Sequence, residues 1–341
     1  MNMETLLKEL CLLNGISGDE GTVRDYIIEK IKDKCEYSVD PLGNVIAFKK
    51  GAERPKNKLM ISAHMDEVGM IVTSIKSDGT LTVSEVGGVD ARVCIGRKVK
   101  VGANGIQGVI GAKAVHNLSS DEKNNAPKMS SLYVDIGAAD KAETEKYVTL
   151  GDSVHFDSEY TVFGDGMICA KAIDDRFGCA VMIMLINSEL AYDCTFTFVV
   201  QEEVGLRGAR TAAYTVDPDF AIVLEATTAS DIPLAADEKK CCIVGNGPVV
   251  SYMDRSTIYD KELYSLSKKT AEENSLGWQT KTMVAGGNDS GAIHISRGGV
   301  RTMAVSIPCR YLHSPCCTAK LSDMEDSFKL VKLMIEKVSV L

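Results

Sequence analysis

Four strand ends and one strand–helix junction of this chain carry carboxylates and imidazoles in positions suited to metal or acid–base chemistry. At the junction, Lys171-Ala172-Ile173-Asp174-Asp175-Arg176 sets two adjacent carboxylates between the apolar strand Met167 to Ala170 and an apolar helix through Cys179 to Ile186. Adjacent carboxylates repel and are costly to desolvate unless a cation neutralises them. Asp is also a good helix N-cap, so the pair can serve either purpose. His64-Met65-Asp66 closes a strand that begins at Lys58. Residues i and i+2 of a strand face one side, so both can address one site, the carboxylate serving the second nitrogen of the imidazole. Gln201-Glu202-Glu203 follows the apolar run Thr195 to Val200, and Glu225 closes Phe220 to Leu224. Tyr311-Leu312-His313-Ser314 follows Arg301 to Ile307, so two of the chain's five histidines lie at such ends. Together these positions point to two metals bridged by Asp174. One of Glu202 and Glu203 then belongs in a coordination shell and the other is free to move protons. The residues alone leave open which does which.

Two further segments could shape substrate binding. Arg255, in Met253-Asp254-Arg255-Ser256, could bring a guanidinium to the cleft, and Asp289 could touch substrate or cap a helix. His116, His155 and His294 read as structural.

These residues need elements to hold them. Leu6, Leu7, Leu10 and Leu13 recur at helical spacing, ended by Asn14-Gly15, and Ser17-Gly18-Asp19-Glu20 has the form of a capping box for a second helix. Strands follow near Asn44 to Phe48 and Lys58 to Ala63. From about Gly69 to Asp157 the chain turns rich in Val, Ile, Thr and Gly, with a hairpin signal at Ser77-Asp78-Gly79-Thr80 and one helix near Asp140 to Tyr147. From Met167 strands alternate with helices: strands at 194–200, 220–224, 279–284 and 301–307, helices at 178–190, 260–275, 289–297 and 322–338. Such alternation implies an α/β layer with a largely parallel sheet, whose carboxyl edge is where ligands sit. The expected architecture is a discontinuous α/β domain (1–66 and 163–341) with a β-rich domain inserted at 67–162.

Composition excludes several functions. A net charge of −9 gives no surface for neutralising nucleic-acid phosphates. No apolar run approaches the roughly 20 residues of a membrane span. Met1-Asn2-Met3-Glu4 opens an amphipathic helix without an export signal, so a cytoplasmic location is expected. The 11 cysteines lack C-x-x-C spacing and read as reduced thiols.

Ala63-His64-Met65-Asp66-Glu67-Val68-Gly69, Ile173-Asp174-Asp175-Arg176, Gln201-Glu202-Glu203-Val204-Gly205, Gly286-Gly287-Asn288-Asp289-Ser290-Gly291 and Tyr311-Leu312-His313-Ser314-Pro315 occur in an order and spacing that resembles a known family. This is the TET or glutamyl-aminopeptidase-like family of two-metal aminopeptidases, some labelled endoglucanase or cellulase M. The resemblance runs nearly end to end. It implies a zinc-peptidase-like mixed sheet flanked by helices, an inserted barrel-like dimerisation domain, and assembly into dimers and a tetrahedral dodecamer. It also implies two divalent ions per subunit, zinc or cobalt: His64 and Glu225 on one, Glu203 and His313 on the other, and Asp174 bridging them. Glu202 matches the general base, and Asp66 the carboxylate that orients His64. Glu225 and Cys316-Cys317 depart from the family pattern, which commonly has Asp at the first of these positions. The implied reaction is removal of the N-terminal residue from short peptides. A glycoside hydrolase would also need paired carboxylates, but it leaves His64 and His313 without work. It also calls for aromatic sugar platforms, and the chain has one Trp and 6% aromatic residues. A non-catalytic metal-dependent assembly protein would leave Glu202 without a role.

Overall fold

The computed structural model describes residues 2–233 and 235–341. Four parallel strands form the centre of an eight-stranded mixed sheet, in the spatial order Cys194–Val199, Leu59–His64, Phe220–Thr228 and Arg301–Cys309. Val45–Lys49 and Glu36–Val39 extend one side antiparallel. Val249–Val250 and Gln279–Thr280 extend the other. Every residue of Leu59–His64 is buried, because helices cover both faces of the sheet. Alternation divides the side chains between two layers. Ile61, Phe196, Phe198, Ile222 and Leu224 pack against Met3–Leu12, Gly21–Ile31, Ile173–Ile186 and Leu321–Val338, while Met60, Val199, Ala221 and Val223 face Arg207–Val216 and the short helix Ser290–Ile293. The α/β class expected from the sequence is the class observed.

Between Gly69 and Phe156 the chain forms a closed antiparallel barrel, its ring order Gly69–Ile75, Leu81–Val86, Tyr133–Asp135, Ile106–Gly111, Lys98–Val101 and Ser153–Phe156. Its own core includes Val72, Val83, Val99, Val101, Val134 and Phe156. The Asp78-Gly79 turn forms where expected, with Gly79 at φ +85°. A small antiparallel sheet of Thr161–Phe163, Met167–Ala170 and Cys317–Lys320 carries the chain from the barrel to Asp174. No helix among the described residues is long and apolar enough to cross a membrane.

Several local expectations resolve differently. The helix expected after Ser17 starts at Gly21, and its cap, Glu20, makes no side-chain capping bond. Ser17 instead donates its hydroxyl to Asp66 Oδ2 at 2.6 Å, a charge-assisted bond that outcompetes a neutral cap. Gly15 is no left-handed helix cap. A Cβ there would lie 2.7 Å from Val23 and 2.9 Å from the Arg176 guanidinium, so close approach is what demands glycine. The strand expected over 279–284 stops at Thr280, after which Met283 and Val284 turn outward and are exposed. Arg207–Val216 is a helix that periodicity left unmarked.

Candidate metal centre

The parallel register puts the carboxyl ends of the four central strands on one edge, and the candidate side chains gather there. His64 Nε2 lies 3.4 Å from Asp174 Oδ1 and 3.7 Å from Glu225 Oε2. On the other side of Asp174, His313 Nε2 lies 3.6 Å from Asp174 Oδ2 and 3.4 Å from Glu203 Oε2. Asp174 thus belongs to two trios, His64–Asp174–Glu225 and Asp174–Glu203–His313, in each of which one ligand atom per residue lies within 4.8 Å of the others. These separations exceed an ordinary hydrogen bond. Two donors each about 2.0–2.1 Å from one tetrahedral ion stand roughly 3.4 Å apart, so the spacing suits a shared cation. Asp174 Oδ1 and Glu225 Oε1 are buried without a hydrogen-bond partner. Orphaned carboxylate oxygens beside imidazoles are a donor set that a divalent ion fits.

The acidic pair divides its two possible duties. Asp174 and Asp175 both have non-helical backbone angles, so the regular helix begins after them. Asp175 caps it, Oδ1 accepting the Gly178 N–H at 2.9 Å, which releases Asp174 to the site. A Cβ on Gly178 would stand 2.4 Å from Asp175 Oδ2 and 2.8 Å from the Ala63 Cβ, so the cap needs a glycine under it.

Asp66 acts through two different groups. Its main-chain carbonyl lies 3.0 Å from His64 Nδ1, nearer than its carboxylate at 3.5 Å. A carbonyl only accepts, so Nδ1 carries the proton and Nε2 turns its lone pair to the site. The carboxylate instead holds the neighbouring loop, accepting the N–H of Glu202 at 3.0 Å and of Glu203 at 3.1 Å, besides the Ser17 hydroxyl. Beneath lies a buried ionic layer. Lys171 donates to Glu67 and to the Leu13 carbonyl, and the fully buried Arg176 donates to the carbonyls of Met65, Leu10 and Gly15.

Burial dominates the acid–base behaviour. It pushes Glu203 and Glu225 up to about 7, and Glu202 well above the usual carboxylate range. Burial also resists ionisation of Asp174, but the His313 and His64 imidazoles beside it outweigh burial and lower its pKa. Burial opposes protonation of His64 as well, yet the Glu225 charge and the neighbouring Asp174 carboxylate raise its pKa. The negative charge therefore exceeds what the imidazoles compensate.

The centre opens into a cleft of about 580 Å³, whose lining includes Glu202, Glu203, Thr228, Cys241, Lys281 and Asn288. The profile of the M42 glutamyl aminopeptidase family matches residues 43–330. The chain belongs to that family. A relative from Acetivibrio thermocellus, provisionally described as an aminopeptidase, is 42% identical over 341 residues, 99% of this chain and 98% of its own. Aminopeptidase APDkam598 of the archaeon Desulfurococcus kamchatkensis superposes with a TM-score of 0.93 at 34% identity, covering 98% of this chain and 94% of its own. TET1 peptidase of Pyrococcus horikoshii, which can assemble into a tetrahedron or a large octahedral shell, matches with a TM-score of 0.87 at 34% identity, covering 98% and 99%. The family resemblance read from the motifs is thereby established, and with it the fold.

The structure leaves Arg255 and Asp289 apart from the cleft lining. Arg255 is exposed, and among the described residues its guanidinium has no ion-pair or hydrogen-bond partner. Asp289 is fully buried, makes no capping bond, and has both carboxylate oxygens unpartnered. Asn288 does the local work, accepting the Ser290 N–H at 2.9 Å. Of the remaining histidines, His155 Nε2 lies 3.5 Å from Asp19, and His294 bonds the Ser290 carbonyl of its own short helix. Sequence reasoning passed over Ser17, Lys171, Arg176 and Gly178, whose partners lie elsewhere in the fold or have no motif of their own. The one usable signal was the charge of Lys171 and Arg176 beside an acidic pair.

Proposed function

We propose that this M42 protein is a two-metal aminopeptidase that removes the N-terminal residue from short peptides. The observation that carries the reading is the pair of trios sharing Asp174, with Glu202 beside them in one cleft. His64, Asp174 and Glu225 would hold one zinc or cobalt ion, and Asp174, Glu203 and His313 the other. Two such ions acidify a water and polarise a scissile carbonyl. Glu202 is the neighbouring glutamate outside both trios, free to take the proton of the attacking water and return it to the leaving amine. Burial raises its pKa well above the ordinary range, in the direction a proton shuttle near neutral pH needs. Asp66 fixes the main chain of Glu202 and Glu203, so the base and its neighbour move as one unit.

A free α-amine is a neutral nitrogen donor when deprotonated, which favours cleavage at an unblocked N-terminus. Lys281 is the one lysine or arginine lining the cleft among the described residues. Its charge supports a preference for acidic N-terminal side chains. The barrel is proposed to pair subunits, leading to dimers and a tetrahedral dodecamer.

The test is release of free amino acids from short peptides and their N-acetylated forms, with chelator and with zinc or cobalt restored. Glu202→Gln should keep its metal and lose hydrolysis by about 10²–10⁴-fold. Hydrolysis at wild-type rate in that variant, or in chelator, would sink the mechanism.

A further inference from the structure

The two trios are held in different ways. His64 closes a core strand, its side chain 1% exposed, and donates to a carbonyl of its own segment. His313 stands on a loop, its side chain 37% exposed and its main chain left-handed at φ +57°. The loop is tied at its base by reciprocal bonds between Arg310 and Thr318, at 2.8 and 2.9 Å. Beyond its trio, the His313 ring has one hydrogen-bond partner among the described residues, the carbonyl of Gly88, 3.0 Å from Nδ1.

Gly88 belongs to the barrel. It follows the strand Leu81–Val86, whose last residue pairs with Gly69, and precedes the short helix Ala91–Cys94, where Asp90 accepts the Arg92 N–H at 2.9 Å. The Gly87-Gly88 main chain lies against the second trio. A Cβ on Gly87 would meet Val68 at 2.8 Å and the Glu203 Cβ at 3.2 Å, and one on Gly88 would stand 3.3 Å from His313 Nδ1. Because a carbonyl only accepts, this contact puts a proton on Nδ1 and turns the Nε2 lone pair toward Asp174 and Glu203.

The geometry points to the inserted barrel as a structural part of the catalytic centre, with Gly88 as the positioning residue for His313. The inference rests on the two-ion reading above. The second trio takes shape only with the Gly87-Gly88 edge docked against it. The first trio is built by two strands of the main sheet and the Asp174 turn at the start of Ile173–Ile186.

The test is titration of the full-length, chelator-stripped protein with cobalt(II), followed by calorimetry and visible absorption. The wild type should fill in two steps. Gly88 is not left-handed, so a side chain there probes the His313 contact rather than backbone strain. In Gly88→Val the second step should weaken about 10–100-fold, the usual effect of losing the partner of a metal-ligating histidine, with the first step unchanged. Gly88→Ala should show the same order with a smaller loss and stands in if the valine variant does not fold. His313→Ala should abolish the second step alone. Equal weakening of both steps, or of neither, in a folded Gly88 variant overturns the role of the barrel while leaving the two-ion reading intact. A wild type that binds fewer than two equivalents sinks the two-ion reading and this inference with it.

Discussion

Replacing Asp66 by Asn separates two ways this residue could serve the centre. The carboxylate accepts from three donors, Ser17 Oγ and the N–H groups of Glu202 and Glu203, while the main-chain carbonyl serves His64. Asn preserves the main chain and the shape but offers a single accepting oxygen. If that oxygen keeps Ser17 and Glu203, the amide group confronts the Glu202 N–H, leaving two donors face to face. One buried unpaired donor together with weakened charge-assisted bonds should cost about 2–4 kcal/mol of stability. A displacement of Glu202 by about 1 Å should lower kcat about 10²-fold. Both trios should stay loaded, because His64 keeps its carbonyl partner. The assay is steady-state peptide hydrolysis at saturating metal, paired with metal analysis and denaturant unfolding. A pH series adds a second check. Burial resists ionisation of Asp66, but the nearby His64 imidazole and the bonds from Ser17 and the Glu202 N–H prevail and lower its pKa. Such a carboxyl contributes stability above about pH 4, its unfolded range, and loses it as pH falls through the folded value. The stability gap between wild type and Asp66→Asn should therefore narrow in acid. A variant with near-wild-type kcat would refute the role assigned to the carboxylate. Loss of bound metal together with loss of activity would show that Asp66 acts through His64 instead.

Other perturbations test the surroundings. Lys281→Met should lower kcat/KM for peptides with N-terminal Glu or Asp by about 10–100-fold, the worth of one charge-assisted contact, and leave neutral N-termini unaffected. Arg176→Met should destabilise the fold more than Lys171→Met, since Arg176 serves three main-chain carbonyls and Lys171 serves one besides Glu67. Arg176→Met should cost at least about 3 kcal/mol in denaturant unfolding, because three buried carbonyls lose their donor, and Lys171→Met about 1–3 kcal/mol, because Glu67 keeps the Arg176 guanidinium 3.4 Å away. Asp175→Ala should cost about 1 kcal/mol through the lost cap, whereas Asp174→Ala should reduce bound metal from two equivalents, as read by metal analysis.

The parallel core and the edge that gathers the candidate side chains were legible because both depend on local pattern. Apolar runs such as Thr195 to Val200 announce buried strands, and a polar residue just past each run must lie at the carboxyl edge. The helix Arg207–Val216 was obscured by a glycine, two threonines and a valine, although Ala209, Ala212 and Ala213 recur at helical spacing. Gly208 lies there because a Cβ would stand 2.3 Å from Asn44 Oδ1 and 2.4 Å from the Val200 carbonyl, a contact no local window contains. Ser17 was misread for a related reason. Its sequence context is that of a cap, but its partner is 49 positions away. Gly88 and His313 are 225 positions apart, and a main-chain carbonyl leaves no mark in the sequence at all.

Backbone strain explains why so much of the supporting structure is distant. Ala172, Gln201, Leu206, Tyr311 and His313, all in or beside the candidate segments, hold left-handed main-chain angles between +55° and +59°. A non-glycine residue there costs roughly 1–2 kcal/mol. Each of these residues turns the chain sharply as it leaves a strand or enters a helix. The turns bring Asp174, Glu202, Glu203 and His313 back over the sheet edge instead of letting them run on into solvent. Local sequence does not favour such turns, so other parts of the molecule must hold them. Glu20 accepts the Gln201 N–H at 3.1 Å, Asp66 holds the two residues that follow, and Gly88 steadies the ring of His313. The amino-terminal segment and the residues just past the central strand thus hold the turn at Gln201 together, and the barrel holds the one at His313. The positions of Glu202, Glu203 and His313 are each determined jointly by the strand before them and by a segment that is remote in sequence, and for this reason motifs could name candidate ligands but not what keeps them in place.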